Sequence, residues 1–355
     1  MQCFGLVHLK LSTLHKICSI EEFGYQHSTL TQPKLKGAVL MDPENKLNNL
    51  CETLSRAILG KGETIKKLVI GIAANGHILL EDVPGVGKTT LVKGLAKAIG
   101  CQFRRVQCTP DLLPADITGV AIYNQKTGEW DFQRGPVFTQ ILLADEINRT
   151  SPKTQSALLE AMEEQQVTVD GVTRELKDPF FVLATQNPQE YEGTFPLPES
   201  QLDRFTIKLS LGYPPRYEEK QLLDKFTNQD PLELVEEVMT PEELLQIQNM
   251  IQQTHVEDSL LEYVSNLADA TRSHQHVSLG ISPRGALHLV KCAKALAVIS
   301  GRNYVLPDDI QSMVIPVFTH RLVMNQSALL ESITKEGLLK ELIAYTKVPG
   351  NLGGR

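Results

Sequence analysis

The fold is indicated most clearly by residues 78–90, Ile78-Leu79-Leu80-Glu81-Asp82-Val83-Pro84-Gly85-Val86-Gly87-Lys88-Thr89-Thr90, of this 355-residue chain. The stretch opens with a short apolar run, which is typical of a buried parallel β-strand. A glycine-rich loop follows, and the apolar residues after it recur at helical spacing up to Gly100, where a helix is expected to end. The order of strand, glycine-rich loop and helix is the context in which phosphate-binding loops occur.

This loop predicts a site for nucleotide phosphates. Gly85 and Gly87 allow backbone N–H groups to approach a phosphate, and the helix N-terminus adds partial positive charge. Lys88 supplies a cation for the β- and γ-phosphates, and the Thr89 hydroxyl is placed for Mg²⁺. Asp82 departs from the GxxxxGK[ST] pattern, which has glycine there, so we expect an altered start of the loop rather than lost binding. The predicted ligands of ATP or ADP with Mg²⁺ are Asp82, Val83, Pro84, Gly85, Val86, Gly87, Lys88, Thr89 and Thr90.

A second apolar strand ends in two carboxylates, in Gln140-Ile141-Leu142-Leu143-Ala144-Asp145-Glu146. Asp145 can reach the Mg²⁺ shell together with Thr89, and Glu146 can accept a proton from the attacking water. An acidic helix cap is the alternative interpretation, but Ser151 with Pro152 provides a better helix start. We therefore predict Asp145 as a metal ligand and Glu146 as the catalytic base.

A third apolar strand, Phe180-Phe181-Val182-Leu183-Ala184-Thr185, is followed by Gln186-Asn187-Pro188. An Asn-Pro pair alone is usually a turn signal. Beside the other two motifs, Asn187 at the tip of a strand is predicted to orient the water that attacks the γ-phosphate.

Together these residues resemble the MoxR family of AAA+ ATPases, in which Asp82 is familiar. The resemblance spans roughly residues 46–345 and rests on 81–89 together with Leu143-Ala144-Asp145-Glu146-Ile147-Asn148-Arg149, Thr154-Gln155-Ser156-Ala157-Leu158-Leu159-Glu160-Ala161-Met162, Ala184-Thr185-Gln186-Asn187-Pro188 and Leu197-Pro198-Glu199-Ser200-Gln201-Leu202-Asp203-Arg204-Phe205. It implies an α/β P-loop AAA+ core with a parallel five-stranded sheet, followed by a small all-helical lid domain. We expect a disordered extension at 1–40, the nucleotide-binding domain at 41–212, the lid at 213–345 and a tail at 346–355.

The resemblance also implies roles for residues outside the strands. Asn187 matches sensor 1, and Arg204 matches the arginine finger that reaches the γ-phosphate bound to a neighbouring subunit. Arg284, in Ser282-Pro283-Arg284-Gly285, matches sensor 2, a contact from the lid to nucleotide. Gly60 and Lys61 fall where the family lines the adenine pocket, although family members often have Gln at position 61. Read without the motifs, either arginine is more simply a partner in a surface salt bridge.

Two further segments predict β-hairpins, at 120–132 and at 166–176. The second alternates on both sides of Asp170-Gly171, a strong signal for a tight turn. Hairpins at these places in related ATPases often face the pore of the ring or the client; an ordinary edge hairpin is the alternative.

Composition narrows the function further. The formal net charge is −7, so we expect no nucleic-acid binding and no attraction to anionic membranes. No apolar run reaches the length of about 18 residues that membrane insertion requires. The six cysteines are scattered without zinc spacing, as in a cytoplasmic protein with reduced thiols.

The resemblance implies an ATP hydrolase that self-associates, as a hexameric ring, and remodels or matures client protein complexes. Clients of the family often carry von Willebrand factor A domains, and metal-cofactor insertion is among its implied roles. A chelatase-like motor subunit, a nucleic-acid-stimulated AAA+ motor and a nucleotide-sensing scaffold are the alternatives. Glu146, Asn187 and Arg204 favour turnover over the scaffold.

Overall fold

A computed structural model of the chain describes residues 42–188 and 193–348. The predicted extension at 1–40 lies outside the described residues, as does most of the predicted tail at 346–355. The helices are α1 (Pro43–Ala57), α2 (Gly62–Ala73), α3 (Lys88–Ala98), α4 (Pro114–Thr118), α5 (Pro152–Glu164), α6 (Glu199–Leu202), α7 (Arg216–Phe226), α8 (Pro241–Gln252), α9 (Asp258–Ser273), α10 (Pro283–Ile299), α11 (Pro307–Phe318), α12 (Gln326–Leu330) and α13 (Lys335–Tyr345). The strands are β1 (Ile78–Glu81), β2 (Phe103–Gln107), β3 (Gly119–Asn124), β4 (Glu129–Arg134), β5 (Ile141–Asp145), β6 (Gln166–Val169), β7 (Val172–Glu175), β8 (Phe181–Gln186), β9 (Ile207–Leu209), β10 (Val277–Leu279) and β11 (Val323–Met324).

A parallel sheet organises the first half of the described chain. Its order is β2-β5-β8-β1-β9, and each neighbouring pair runs parallel, which confirms the predicted five-stranded sheet. The central strands are buried along almost their whole length, as their continuous apolar sequence predicts. All five strands therefore end at one edge of the sheet, here called the carboxyl edge, and begin at the opposite edge, the amino edge.

Helices cover the sheet and hold its strands in register. On one face, Leu158, Leu159 and Met162 of α5 pack in a buried cluster with Leu142 of β5 and Val182 of β8. Helix α5 begins as predicted, because the Ser151 hydroxyl accepts a hydrogen bond from the N–H of Thr154 and proline occupies the first helical position. The sheet thus fixes the direction in which the ends of β1, β5 and β8 present their side chains.

Residues 213–345, the predicted lid, are built mainly of helices α7 to α13. A capping box begins α8, since the N–H of Thr240 donates to Glu243 and the N–H of Glu243 donates to Thr240. The lid also contains an antiparallel pair, β10 with β11, which the sequence did not predict. Core and lid residues of the described chain belong to one compact unit.

Both predicted hairpins are confirmed, as β3 with β4 and β6 with β7. The Arg174 guanidinium of the second lies 3.7 Å from the ring centroid of Phe132 in the first, so a cation–π contact joins them. None of the helices in residues 42–188 and 193–348 combines the length and the apolar character needed to cross a bilayer.

Candidate nucleotide-binding and catalytic site

The glycine-rich loop leaves β1 at the carboxyl edge and runs directly into α3. Gly85 and Gly87 have φ angles of +85° and +91°, a region that side chains rarely adopt. A Cβ atom at Gly85 would meet nothing within 4 Å, so the backbone conformation rather than lack of space requires glycine there. Because α3 begins at Lys88, the N–H groups of its first turn have no partner within the helix, and they lie next to the open space at Gly85. The arrangement fits nucleotide phosphates.

Asp82 lies between β1 and the phosphate loop and is only 5% exposed. Its carboxylate accepts hydrogen bonds from the Ser210 hydroxyl at 2.8 Å and from the N–H groups of Leu211 at 2.5 Å and Gly212 at 2.9 Å. Its carbonyl accepts a hydrogen bond from the Lys88 ammonium at 2.8 Å. Asp82, which stands where the general loop pattern has glycine, thus connects the phosphate loop to residues 210–212, which lead into the lid.

The two carboxylates predicted from β5 have separate partners. Asp145 Oδ2 accepts from Nε and Nη2 of Arg105 at 3.0 and 2.6 Å, and its Oδ1 accepts from the Thr185 hydroxyl at 2.6 Å. Glu146 Oε2 accepts from Gln107 at 2.9 Å and from Arg149 at 3.2 Å. These contacts hold both carboxylates at the carboxyl edge in defined orientations.

A magnesium ion fits this edge, although the ligand set that the chain offers is small. A carboxylate has about four lone-pair sites, and the three hydrogen bonds to Asp145 leave room for contact with a hydrated ion. The described residues contain no group of three or more His, Cys, Asp or Glu placed to hold a metal. Mg²⁺ is usually bound by one or two carboxylates together with substrate phosphates, and Asp145 and Thr89 are the predicted ligands.

Asn187 follows β8, the strand between β5 and β1 in the sheet. The carbonyl of Gln186, one residue before it, accepts a hydrogen bond from the N–H of Asp82 at 3.1 Å. The sheet therefore brings the phosphate loop, the two carboxylates and Asn187 to the same edge, as the sequence predicted for sensor 1. The sequence did not indicate Thr185 and Arg105, because only the pairing of β2, β5 and β8 places them beside Asp145.

Gly60 and Lys61, the predicted adenine segment, lie against the beginning of the lid. The Lys61 ammonium donates to the carbonyl of Tyr213 at 3.0 Å. Gly60 has a φ angle of +71°, which favours glycine, and the carboxylate of Glu218 lies where a Cβ of residue 60 would be. Ile58 lies 4.0 Å from the ideal Cβ position of Gly87, which places the segment beside the phosphate loop.

Arg204 and Arg284 come together on a single carboxylate. Arg204 follows α6 and lies with Nη2 3.0 Å from Oε2 of Glu163, while Arg284, in the first turn of α10, pairs with Oε1 of the same residue. Both arginines line a cavity of about 210 Å³. The cavity is also lined by His77, which precedes β1, and Thr206, which precedes β9. The arginine pair therefore lies at the amino edge, away from the phosphate loop of its own chain.

A buried arginine fixes this pair. Arg321, which follows α11, is 3% exposed and donates to Asp203 Oδ1 at 2.8 Å and to the carbonyl of Phe205 at 2.6 Å. Asp203 also accepts from the Ser282 hydroxyl at 2.8 Å, and Ser282 caps α10, the helix that carries Arg284. Hydrogen bonds among Asp203, Ser282 and Arg321, here called the frame, thus join the segments that carry Arg204 and Arg284. Neither Glu163 nor Arg321 belongs to a motif, so the sequence analysis missed both.

The histidines around this frame carry no charge at neutral pH. Burial lowers the pKa of His77 to about 4, and burial together with the charge of Arg321 lowers the pKa of His288 to about 2. His77 Nδ1 accepts from the N–H of Val182 at 3.0 Å, and its other ring nitrogen lies 3.0 Å from the carbonyl of Met162, so the ring is held as the Nε2–H tautomer. The positive charge of the cavity therefore comes from arginine and lysine.

Comparison with known proteins agrees with this geometry. Residues 77–207 match the ATPase family associated with various cellular activities (AAA), and residues 269–342 match the AAA lid domain. The fold and the site thus define an AAA ATPase with its lid.

Relatives identify the family more narrowly. The chain is 50% identical to YeaC of Bacillus subtilis over 303 residues, covering 85% of this chain and 95% of YeaC. It is 39% identical to the chaperone MoxR1 of Mycobacterium tuberculosis over 305 residues, covering 83% of this chain and 80% of MoxR1. A crystal structure from Cytophaga hutchinsonii superposes with a TM-score of 0.80 at 39% identity, covering 86% of this chain and 96% of that one. The chain belongs to the MoxR family of AAA+ ATPases, and membership supports ATP hydrolysis in general.

Proposed function

We propose that this chain is a ring-forming ATP hydrolase that remodels or matures client protein complexes. The observation that carries the proposal is the position of the arginine pair and the phosphate loop on opposite edges of one sheet. Strand β1 has four residues, which at about 3.3 Å each separate its ends by roughly 13 Å. Arg204 and Arg284 therefore face a nucleotide held by another subunit.

Within one subunit, the residues at the carboxyl edge divide the work. Lys88 and the N–H groups of the phosphate loop hold the phosphates, while Thr89 and Asp145 hold the magnesium ion, which neutralises charge on the phosphate oxygens. Gln107 and Arg149 orient Glu146, which takes the proton of the attacking water. Asn187, at the end of the intervening strand, orients that water. Gly60 and Lys61 border the adenine.

Across the subunit boundary, Arg204 offsets the charge that develops on the transferred phosphoryl group. Arginine fingers contribute about 10³–10⁵ in rate where they have been measured. Because Arg284 shares Glu163 with Arg204 and is mounted on the same frame, it reaches the same nucleotide. The neighbour's phosphates then replace Glu163 as the anionic partner of both arginines. This requirement for a neighbour supports a closed ring, for which we propose six subunits.

The client role rests on the family rather than on the site. A relative that matches most of this chain is named as a chaperone, MoxR1. The β3–β4 hairpin exposes Trp130 to 69%, a surface suited to contact with a client protein. We include in the proposal clients with von Willebrand factor A domains and a role in metal-cofactor insertion. The described cysteines are free thiols, in keeping with a cytoplasmic location.

Mixing two inactive variants tests the shared site. Arg204→Ala keeps an intact phosphate loop, and Lys88→Ala keeps an intact arginine pair, so some interfaces of a mixed ring combine both intact halves. We expect partial ATPase activity to return on mixing. A mixture that stays inactive, although native mass spectrometry detects mixed rings, refutes the shared site, as does a fully active monomer.

A second experiment addresses the client. Glu146→Gln should bind ATP without hydrolysing it and so retain a client through affinity purification. Capture of a protein that stimulates the wild-type ATPase supports remodelling. Stimulation by DNA instead favours a nucleic-acid motor and contradicts the proposed client.

A further inference from the structure

Asp82 contacts three parts of the protein that nucleotide binding has to coordinate. Its side chain accepts three hydrogen bonds from residues 210–212, its carbonyl accepts one from Lys88, and its N–H donates to the strand end that precedes Asn187. Hydrogen bonds to a carboxylate are roughly twice as strong as those between neutral groups. Residues 210–213 are here called the hinge, because they connect β9 to Pro214 and the lid.

The hinge is held by residues of the predicted nucleotide site on both sides. Asp82 binds the N–H groups of Leu211 and Gly212, and the Lys61 ammonium binds the carbonyl of Tyr213. Gly212 has a φ angle of +59°, so the chain turns sharply at this point. The direction in which the lid leaves the core is therefore set by side chains next to the nucleotide.

Lys88 links this arrangement to the phosphates. Its ammonium has three protons and donates one of them to the carbonyl of Asp82 at 2.8 Å. Its other protons are directed to the β- and γ-phosphates in the predicted site, so a bound phosphate and the Asp82 carbonyl share one cation. A change in the position of the Asp82 peptide passes directly to the three hinge groups that its carboxylate holds.

We propose that Asp82 is a positioning residue that couples phosphate binding at Lys88 to the hinge and hence to the orientation of the lid. The inference rests on the proposed function only in that Lys88 binds phosphate. It gives a role to the aspartate that stands where the general loop pattern has glycine, a residue without a side chain to reach the hinge.

Hydrogen–deuterium exchange measures this coupling at the amides concerned. In the wild type we expect ADP with Mg²⁺, and separately a non-hydrolysable ATP analogue with Mg²⁺, to change the exchange of Leu211 and Gly212. In Asp82→Asn, where an amide N–H₂ replaces one acceptor oxygen, these amides should exchange at least about tenfold faster and should no longer respond to either nucleotide. Calorimetry should show that Asp82→Asn still binds nucleotide, because the carboxylate contacts the hinge and only the backbone carbonyl contacts Lys88, while kcat falls.

Two comparisons make the result specific. Glu81→Gln removes the neighbouring carboxylate, which pairs with Lys208 rather than with the hinge, and should leave the response at Leu211 and Gly212 unchanged. Ser210→Ala removes one of the three hydrogen bonds to Asp82 and should give an intermediate response, so it tests the coupling even if Asp82→Asn does not fold.

Wild-type exchange behaviour in Asp82→Asn and Ser210→Ala overturns the coupling, and so does a wild type that binds nucleotide with no change at the hinge. Loss of all nucleotide binding in Asp82→Asn also overturns it, because Asp82 would then act within the phosphate site. A failure of the proposed function is distinct, since the wild type would then bind no nucleotide or Lys88→Ala would bind it normally.

Discussion

Arg321→Met removes the buried guanidinium that fixes the segment carrying Arg204. The methionine fills much of the volume but leaves Asp203 and the carbonyl of Phe205 without the donors at 2.8 and 2.6 Å. We expect turnover to fall by at least about tenfold, because displacing Arg204, the proposed arginine finger, removes part of a contribution of about 10³–10⁵. ATP affinity should be unchanged, since the phosphate loop lies at the opposite edge of the sheet.

The cost in stability follows from the burial of Arg321. Removing one partner of a buried ion pair costs about 3–5 kcal/mol. The Ser282 hydroxyl still donates to Asp203, so we expect the lower end of this range, about 3 kcal/mol. At about 2 °C per kcal/mol for a chain of this size, Tm should fall by roughly 6 °C. Kinetics are therefore measured well below the Tm of the variant, where wild type and variant are equally folded.

Arg302→Met is the matched control for this prediction. Arg302 forms a two-pronged ion pair with Asp309 at 2.7 Å for each contact, entirely within the lid. Its loss should lower Tm by a smaller amount, because the Arg302 side chain is 21% exposed against 2% for Arg321, and should leave turnover intact. Equal loss of turnover in both variants would mean that activity follows lid stability. Normal turnover in Arg321→Met, with its Tm lowered, would show that the finger needs no such support.

Three other changes have outcomes that the site determines. Lys88→Ala should weaken ATP binding strongly in titration calorimetry, because backbone donors alone remain for the phosphates. Glu146→Gln should bind ATP nearly normally and lose at least about 10²-fold in turnover, since an amide cannot accept the proton. Acid should destabilise the fold between pH 6.5 and 4. In this range His77 is protonated in the unfolded chain but stays neutral in the folded chain, because burial lowers its pKa to about 4. The free energy of unfolding should fall by up to about 1.4 kcal/mol per pH unit from this residue. In urea titrations His77→Gln should remove this part of the dependence, while the part from His288 remains.

Each of these changes has an outcome that would contradict it, and Lys88→Ala has a matched control. Lys93→Ala removes an exposed lysine of the same helix and should bind ATP normally; equal affinity in folded Lys88→Ala would remove the phosphate assignment. Wild-type turnover in Glu146→Gln would place the base elsewhere. A wild-type slope in His77→Gln would mean that His77 does not contribute.

The sequence by itself determined the class of fold and which motifs lie at the carboxyl edge of the sheet. Apolar runs that end in a glycine-rich loop, in two carboxylates and in an asparagine are local patterns, and in a parallel sheet all such ends meet at one edge. The hairpins and helix starts were predictable for the same reason, because turn residues and caps act within a few positions.

Only the tertiary structure decided what those residues touch. Leu211 lies 129 positions from the Asp82 that binds it, and Arg284 lies 121 positions from Glu163. No local pattern specifies such partners, because they depend on the order of strands in the sheet and on how the lid packs against it. For this reason the sequence indicated Arg204 and Arg284 only as parts of separate motifs. The carboxylate of Glu163 that they share, and the buried Arg321 that holds the frame, are visible only in the folded chain.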